Sequence, residues 1–202
     1  MNADKAAEKY LKLYRRALIK EGFPDVTGKT RNYRTRLVGM LSSPEFAGHN
    51  VYPTMNVELI YAVIAMCLEL RSYGLSNEQI IRFSETAFED RRRFFDGLIR
   101  LIDLLPNSFS IARRWNINDH ARRVQDRSIV YDSFRVTDNS VTYRISKCMY
   151  VEMFAAYGIR ELCKIFCNTD TRSYAGLTRH VQFIRHSDLS DGDSCYDEVY
   201  RK

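Results

Sequence analysis

The sequence predicts a single α+β domain over residues 1–202, mainly helical to residue 125 and sheet-containing from 126 to 202. Three observations predict it. Apolar residues recur at three- and four-residue steps through roughly the first 120 positions. After Asp126 the pattern changes to alternation, with two turn signals. A helical stretch separates the two alternating regions, so helices segregate against an antiparallel sheet of two hairpins.

The elements follow in order. Ala7, Tyr10, Leu11, Tyr14 and Leu18 form one face of an amphipathic helix that stops at Gly22. Arg31 to Ser43 reads as a short basic helix ended by Pro44. Thr54 to Tyr73 is apolar almost all round, which predicts a central buried helix. Gly74 ends it, and Ser76-Asn77-Glu78-Gln79 restarts the chain as a capping box, with Leu75 and Ile80 placed as a hydrophobic staple. One long helix is then expected through Phe83, Ala87, Phe94, Leu98, Ile102 and Leu105 to Pro106, and another over Phe109 to Arg123.

Ser128 to Val136 is rich in β-branched and aromatic residues. Asp138-Asn139 is a turn, and Val141, Tyr143 and Ile145 alternate with polar residues, which completes a hairpin. Helix returns from Met149 to Tyr157 and again after Gly158 to about Leu177. Val181 to Ser187 and Ser194 to Tyr200 form the second hairpin, joined by Ser190-Asp191-Gly192-Asp193.

Composition bounds the function. The longest apolar run, Leu59 to Leu70, is interrupted by Glu69 and falls short of the roughly 18–20 residues that a membrane span requires. The N-terminus lacks the apolar stretch of a signal peptide, so a cytoplasmic location and no membrane association are expected. Five cysteines, at 67, 148, 163, 167 and 195, argue for free thiols rather than a disulfide framework, because the count is odd. The net charge of +6 suits a small anionic substrate or a solvated surface. RNA-recognition and helix-turn-helix signatures are absent, so no nucleic-acid partner is expected. Also missing are a Gly-rich phosphate loop, HExxH, CxxC and GxSxG, so no common cofactor is indicated.

What remains is a C-terminal constellation of Cys148, Cys163, Cys167, Asp170, Arg185, His186 and Cys195. Cys163, Cys167, Asp170 and Tyr174 lie three and four residues apart, on one helix face. A thiol one turn from a carboxylate is chemically usable: the carboxylate can move a proton or orient water, and a thiolate can attack or ligate a soft metal. Taken alone, each cysteine is better suited to core packing than to chemistry, and Cys67 and Cys163 sit among apolar neighbours. His49, His120 and His180 are expected to face solvent or make structural hydrogen bonds.

The ordered set Cys148-Met149-Tyr150, Gly158-Ile159-Arg160-Glu161-Leu162, Cys167-Asn168-Thr169-Asp170, Arg185, Leu189, Gly192 and Cys195 resembles the C-terminal pattern of the L-2-amino-thiazoline-4-carboxylic acid hydrolase family. The N-terminal helices agree with it in general character only. Two positions depart. Where the family has Cys-Asp-Phe, this chain has Cys195-Tyr196-Asp197, and His186 stands where a threonine commonly follows the strand arginine. On a strand Asp197 points to the opposite face from Tyr196, so it is not expected to replace the missing aspartate simply.

The resemblance implies hydrolysis of a cyclic, amidine-like thiazoline bearing a carboxylate, opened by water to a carbamoyl-cysteine. Under it, Cys167 or a water held by Asp170 attacks, Asp170 or His186 moves protons, and Arg185 pairs with the substrate carboxylate. A second version gives Cys148, Cys167 and Cys195 to a zinc ion, with Asp170 as fourth ligand or base. Two rivals from other classes stand beside it: a non-catalytic small-molecule binder of the same fold, and a basic interaction module.

Overall fold

The structure is a computed structural model and describes residues 3–202. It is α+β, with helices first and a four-stranded antiparallel sheet at the C-terminal end. Packing gathers the chain into two compact units, Met1–Glu89 and Asp90–Lys202. This division falls well before residue 125, where the helical portion ends. Ile99, Phe109 and Ala112, from the last two helices before the sheet, share a core with Val141 and Val199 of the sheet.

The first unit holds α1 (Ala3–Lys20), α2 (Val26–Leu41), α3 (Pro44–Gly48), α4 (Thr54–Ser72) and α5 (Asn77–Ala87). Gly22 takes a positive φ of 70° after α1, a conformation that costs glycine least. α2 begins earlier than the sequence suggests, because Asp25 caps it by accepting from the Gly28 amide. Pro44 does not merely close the preceding helix. It stands in the first turn of α3, where its missing N–H costs nothing, and Ser43 caps that helix. α4 is buried on most sides, as its composition requires. Tyr33 stacks on Tyr14 at 4.3 Å and donates to the Ala62 carbonyl. Glu69, buried in α4, is held by Arg36 at 2.5 Å and the Tyr73 hydroxyl at 2.8 Å. The capping box at Ser76 forms in full, with Ser76 accepting from the Gln79 amide and Gln79 accepting in return.

The expected long helix to Pro106 is in fact two. α5 ends at Ala87, Phe88 caps it, and α6 (Glu89–Asp103) begins afresh. α6 buries Ile99 and Asp103, whereas Phe94, expected on its core face, is 70% exposed. Periodicity located the apolar stripe, but one edge of it makes the contact.

The second unit continues with α7 (Ser108–Gln125), β1 (Ile129–Val136), β2 (Ser140–Cys148), α8 (Met149–Ala156), a 3-10 turn (Arg160–Cys163), α9 (Lys164–Ala175), β3 (Val181–Ser187) and β4 (Cys195–Arg201). The sheet order is β1-β2-β4-β3, so the two hairpins join through β2 and β4. One sheet face presents Val141, Tyr143 and Ile145 from β2, paired across with Val199, Asp197 and Cys195 from β4. Its apolar part closes over Ile99, Phe109, Ala112, Leu177 and Val181. Tyr174 of α9 stacks on Phe183 of β3 at 4.4 Å. Among the described residues, no helix is long and apolar enough to cross a membrane.

Candidate functional site

The constellation gathers inside the second unit, where β3, β4 and α9 meet. Arg185 on β3 faces inward and is the hub. Its Nε and Nη2 donate to the two carboxylate oxygens of Asp197 at 2.8 and 2.6 Å, a side-on fork between paired strand residues. Its Nη1 donates to the Cys167 carbonyl at 2.6 Å, which fixes the guanidinium to α9. Two longer contacts, both 3.5 Å, run from Nη1 to the Thr171 hydroxyl and from Nη2 to Asp170.

Asp197 is the residue that sequence reasoning left out of the site. The strand alternation is as expected, with Tyr196 and Asp197 on opposite faces, but Asp197 owns the inner one. Cys195, Asp197 and Val199 all point inward, and the Asp197 side chain is 1% exposed. The signal was present in the two-residue spacing from Cys195.

Asp170 sits on α9 beside Arg185. The protein packed around its carboxyl raises the pKa to about 6, with Asp197 adding to the rise and Arg185 opposing it. Its side chain is nevertheless 61% exposed. The group is therefore open to a ligand and partly screened by water.

The cysteines differ in character. Cys163 ends the 3-10 turn and Cys167 lies one turn on in α9. The Cys163 thiol hydrogen-bonds to Cys167 and lowers the Cys167 pKa; burial opposes this and Arg185 assists. Cys163 itself is pushed up by the same bond and by burial. Cys148 ends β2 and precedes α8, where burial raises its thiol to about 11 against the pull of the Tyr150 and Val151 amides. Cys195 is buried, and its thiol is raised by burial and by Asp197. Cys67 is buried within α4. Among the described residues, no three His, Cys, Asp or Glu side chains are grouped to hold a metal ion, Cys148, Cys167 and Cys195 included.

His186 lies on the other sheet face. It stacks on Tyr196 at 4.6 Å and its Nε2 is 2.8 Å from Glu198, while Arg144 covers the far side of Tyr196 at 4.1 Å. Alternation along β3 puts His186 on the opposite face from Arg185. The two family departures, Tyr196 and His186, therefore touch each other and stand apart from the thiols. His120 is half-buried, stacked on Phe134 at 3.8 Å, and burial lowers its pKa.

Gly158 and Arg160, two more positions of the set, shape the backbone. Gly158 has φ +67° at the end of α8. Arg160 donates to the carbonyls of Leu189, at 3.1 Å, and Gly192, so it clamps the turn between β3 and β4. Lys164 braces that turn through Asp191. The turn borders an open depression of about 420 Å³ lined by Arg185, His186, Ser187, Asp188, Asp191 and Gly192. Residues missed in the sequence, besides Asp197, are Thr171 and Asn116, whose amide donates to the Tyr174 hydroxyl at 2.6 Å.

Residues 71–197, more than half the chain, match the family described as L-2-amino-thiazoline-4-carboxylic acid hydrolase. No curated protein and no solved structure matches the chain.

Proposed function

We propose that this chain, which belongs to the L-2-amino-thiazoline-4-carboxylic acid hydrolase family, opens a carboxylated thiazoline ring by hydrolysis to a carbamoyl-cysteine. The observation that carries the reading is that Arg185 holds the Cys167 backbone and touches Asp170, while the charges of Arg185 and Asp170 both act on the Cys167 thiol. The three residues supply the nucleophile, the proton carrier and the cation that such a substrate needs.

Arg185 keeps a role in binding despite its partners. Asp197 takes the Nε/Nη2 side and Cys167 takes one Nη1 hydrogen. The remaining hydrogen on each terminal nitrogen meets only the two 3.5 Å contacts. That end of the fork can accept a carboxylate in bidentate fashion.

In the reaction, the Cys167 thiolate adds to the ring carbon that bears sulfur and two nitrogens. Protonated Asp170 delivers its proton to the ring sulfur as the carbon–sulfur bond breaks. This leaves an isothiourea on Cys167 and a free thiol on the opened substrate. Water then attacks the same carbon and gives a proton to Asp170. The carbon–sulfur bond to the enzyme breaks, the thiolate returns, and the product is heavier than the substrate by one water. The raised carboxyl of Asp170 suits a group that must give and take a proton near neutrality.

The test is mass spectrometry of 2-amino-thiazoline-4-carboxylate after incubation with the purified protein, with and without a chelator. A product heavier by one water, formed equally in both, is expected. Loss of turnover on chelation would replace the thiol route by a metal-dependent one. Ligand binding without any product would favour a non-catalytic binder, the reading to which the Tyr196 and His186 departures point.

A further inference from the structure

We infer that α6 is the contact between two copies of this chain, which pair antiparallel about a two-fold axis at Leu98. The inference is independent of the hydrolase reading.

The apolar arc of α6 is wider than its core contact. Ile99 and Ile102, at one edge, meet the core shared with the sheet. Phe94, Leu98, Leu101 and Leu105 recur at steps of four, three and four residues, which sets a second stripe along the helix and just past its end. Phe94 and Leu101 are 70% and 63% exposed, and Leu98 and Leu105 are each 43% exposed. Phe95 and Leu104 widen the patch. A chain that stays alone rarely leaves so long an apolar ridge in water. Gly97 lies beside Phe94 and Leu101 on this face, and a Cβ there would meet nothing in the chain. Glycine lowers helix stability relative to alanine, so the helix itself gains nothing from it. A second helix gains a closer approach.

The occupant is a second copy. The four arginines and four carboxylates of α6 cancel, so this helix neither repels another chain of net charge +6 nor attracts an anionic lipid surface. The stripe is self-complementary when the helices run antiparallel. Leu98 then meets the partner's Leu98, and Phe94 meets the partner's Leu101. Arg91 rests over the Phe95 ring at 5.8 Å, in the first turn of α6, where the helix dipole disfavours a cation. Antiparallel pairing carries it to the carbonyl end of the partner's α6, where the dipole favours one. The patch offers on the order of 500 Å² per copy, so the pair buries roughly the 1,000 Å² at which a specific interface begins. A contact of that size gives a dimer that dissociates on dilution.

Sedimentation equilibrium of the purified chain across the micromolar range tests this. The average mass should rise with concentration from 23.7 kDa toward twice that value. Leu98→Glu sets two carboxylates against each other on the axis and should raise the dissociation constant at least about a hundredfold. Because Leu98 lies outside the core, that variant should keep the wild-type thermal melt at low concentration. A residue on the axis meets itself, so Leu98→Cys should form a disulfide-linked dimer under mild oxidation, beyond the wild-type background. Val136→Cys, on exposed β1, should not. A wild-type chain that stays at 23.7 kDa at every concentration would overturn the inference. So would a dimer that survives Leu98→Glu, or one in which Leu98→Cys gives no cross-link. Co-sedimentation of the wild type, but not of Leu98→Glu, with phosphatidylserine vesicles while the chain stays monomeric would give the face to a lipid surface instead.

Discussion

Arg185 and Asp197 meet side-on across β3 and β4, with both carboxylate oxygens engaged and the carboxylate almost fully removed from water. A pair buried this way costs desolvation to form and much more to break on one side. Arg185→Met should therefore destabilise the protein by about 3–5 kcal/mol in urea unfolding. Arg185→Met with Asp197→Leu should recover most of that loss. If the double variant is no more stable than the single one, the pair is not what the buried carboxylate depends on.

Asp170 gives a pH signature of known sign. Its folded pKa lies above the ordinary carboxyl value, so the folded state holds the extra proton between about pH 4 and 6. Stability from this group is present below that window and is lost as pH rises through it. The Asp170→Asn variant should lack this decline in thermal melts. The same proton drives ring opening in the proposed reaction, so kcat/KM should fall as pH rises past about 6. A rate that continues to climb through that range would remove Asp170 as the acid.

The Cys163 to Cys167 hydrogen bond makes the two thiols unequal. Cys167 should be alkylated by iodoacetamide before Cys148 and Cys195, whose thiols burial pushes up. Cys163→Ala should slow the reaction at Cys167. Peptide mapping after brief labelling decides this, and faster labelling of Cys195 would reverse the assignment.

Ser76 offers a control in the first unit. Its oxygen satisfies the Gln79 amide at the start of α5. Ser76→Ala should cost about 1 kcal/mol of stability without altering the kcat/KM of turnover. A change in kcat/KM would mean that the cap does more than hold its helix.

The capping box, the positive-φ glycines and the strand limits are decided by residues a few positions apart, and for that reason the sequence predicted them well. Gln79 can reach only the backbone of Ser76, and Gly158 ends α8 whatever else surrounds it. The break at Phe88 escaped because the apolar spacing runs through it, and helix propensity offers no barrier there. The site was legible as a set of residue types. Cys163, Cys167 and Asp170 share a helix face by spacing alone, Arg185 and Cys195 stand in the same C-terminal constellation, and the family resemblance suggested their roles.

What the tertiary structure alone decided is which of these groups meet. The register of β4 against β3 puts Asp197 opposite Arg185 and brings His186 against Tyr196 on the other face. A shift of one residue would exchange Tyr196 for Asp197 at the hub. The chain by itself determined the elements, since these depend on local periods and caps. Long-range pairing determined the chemistry, since a carboxylate, a guanidinium and a thiol act on one another only across the few ångströms that strand register and helix packing set.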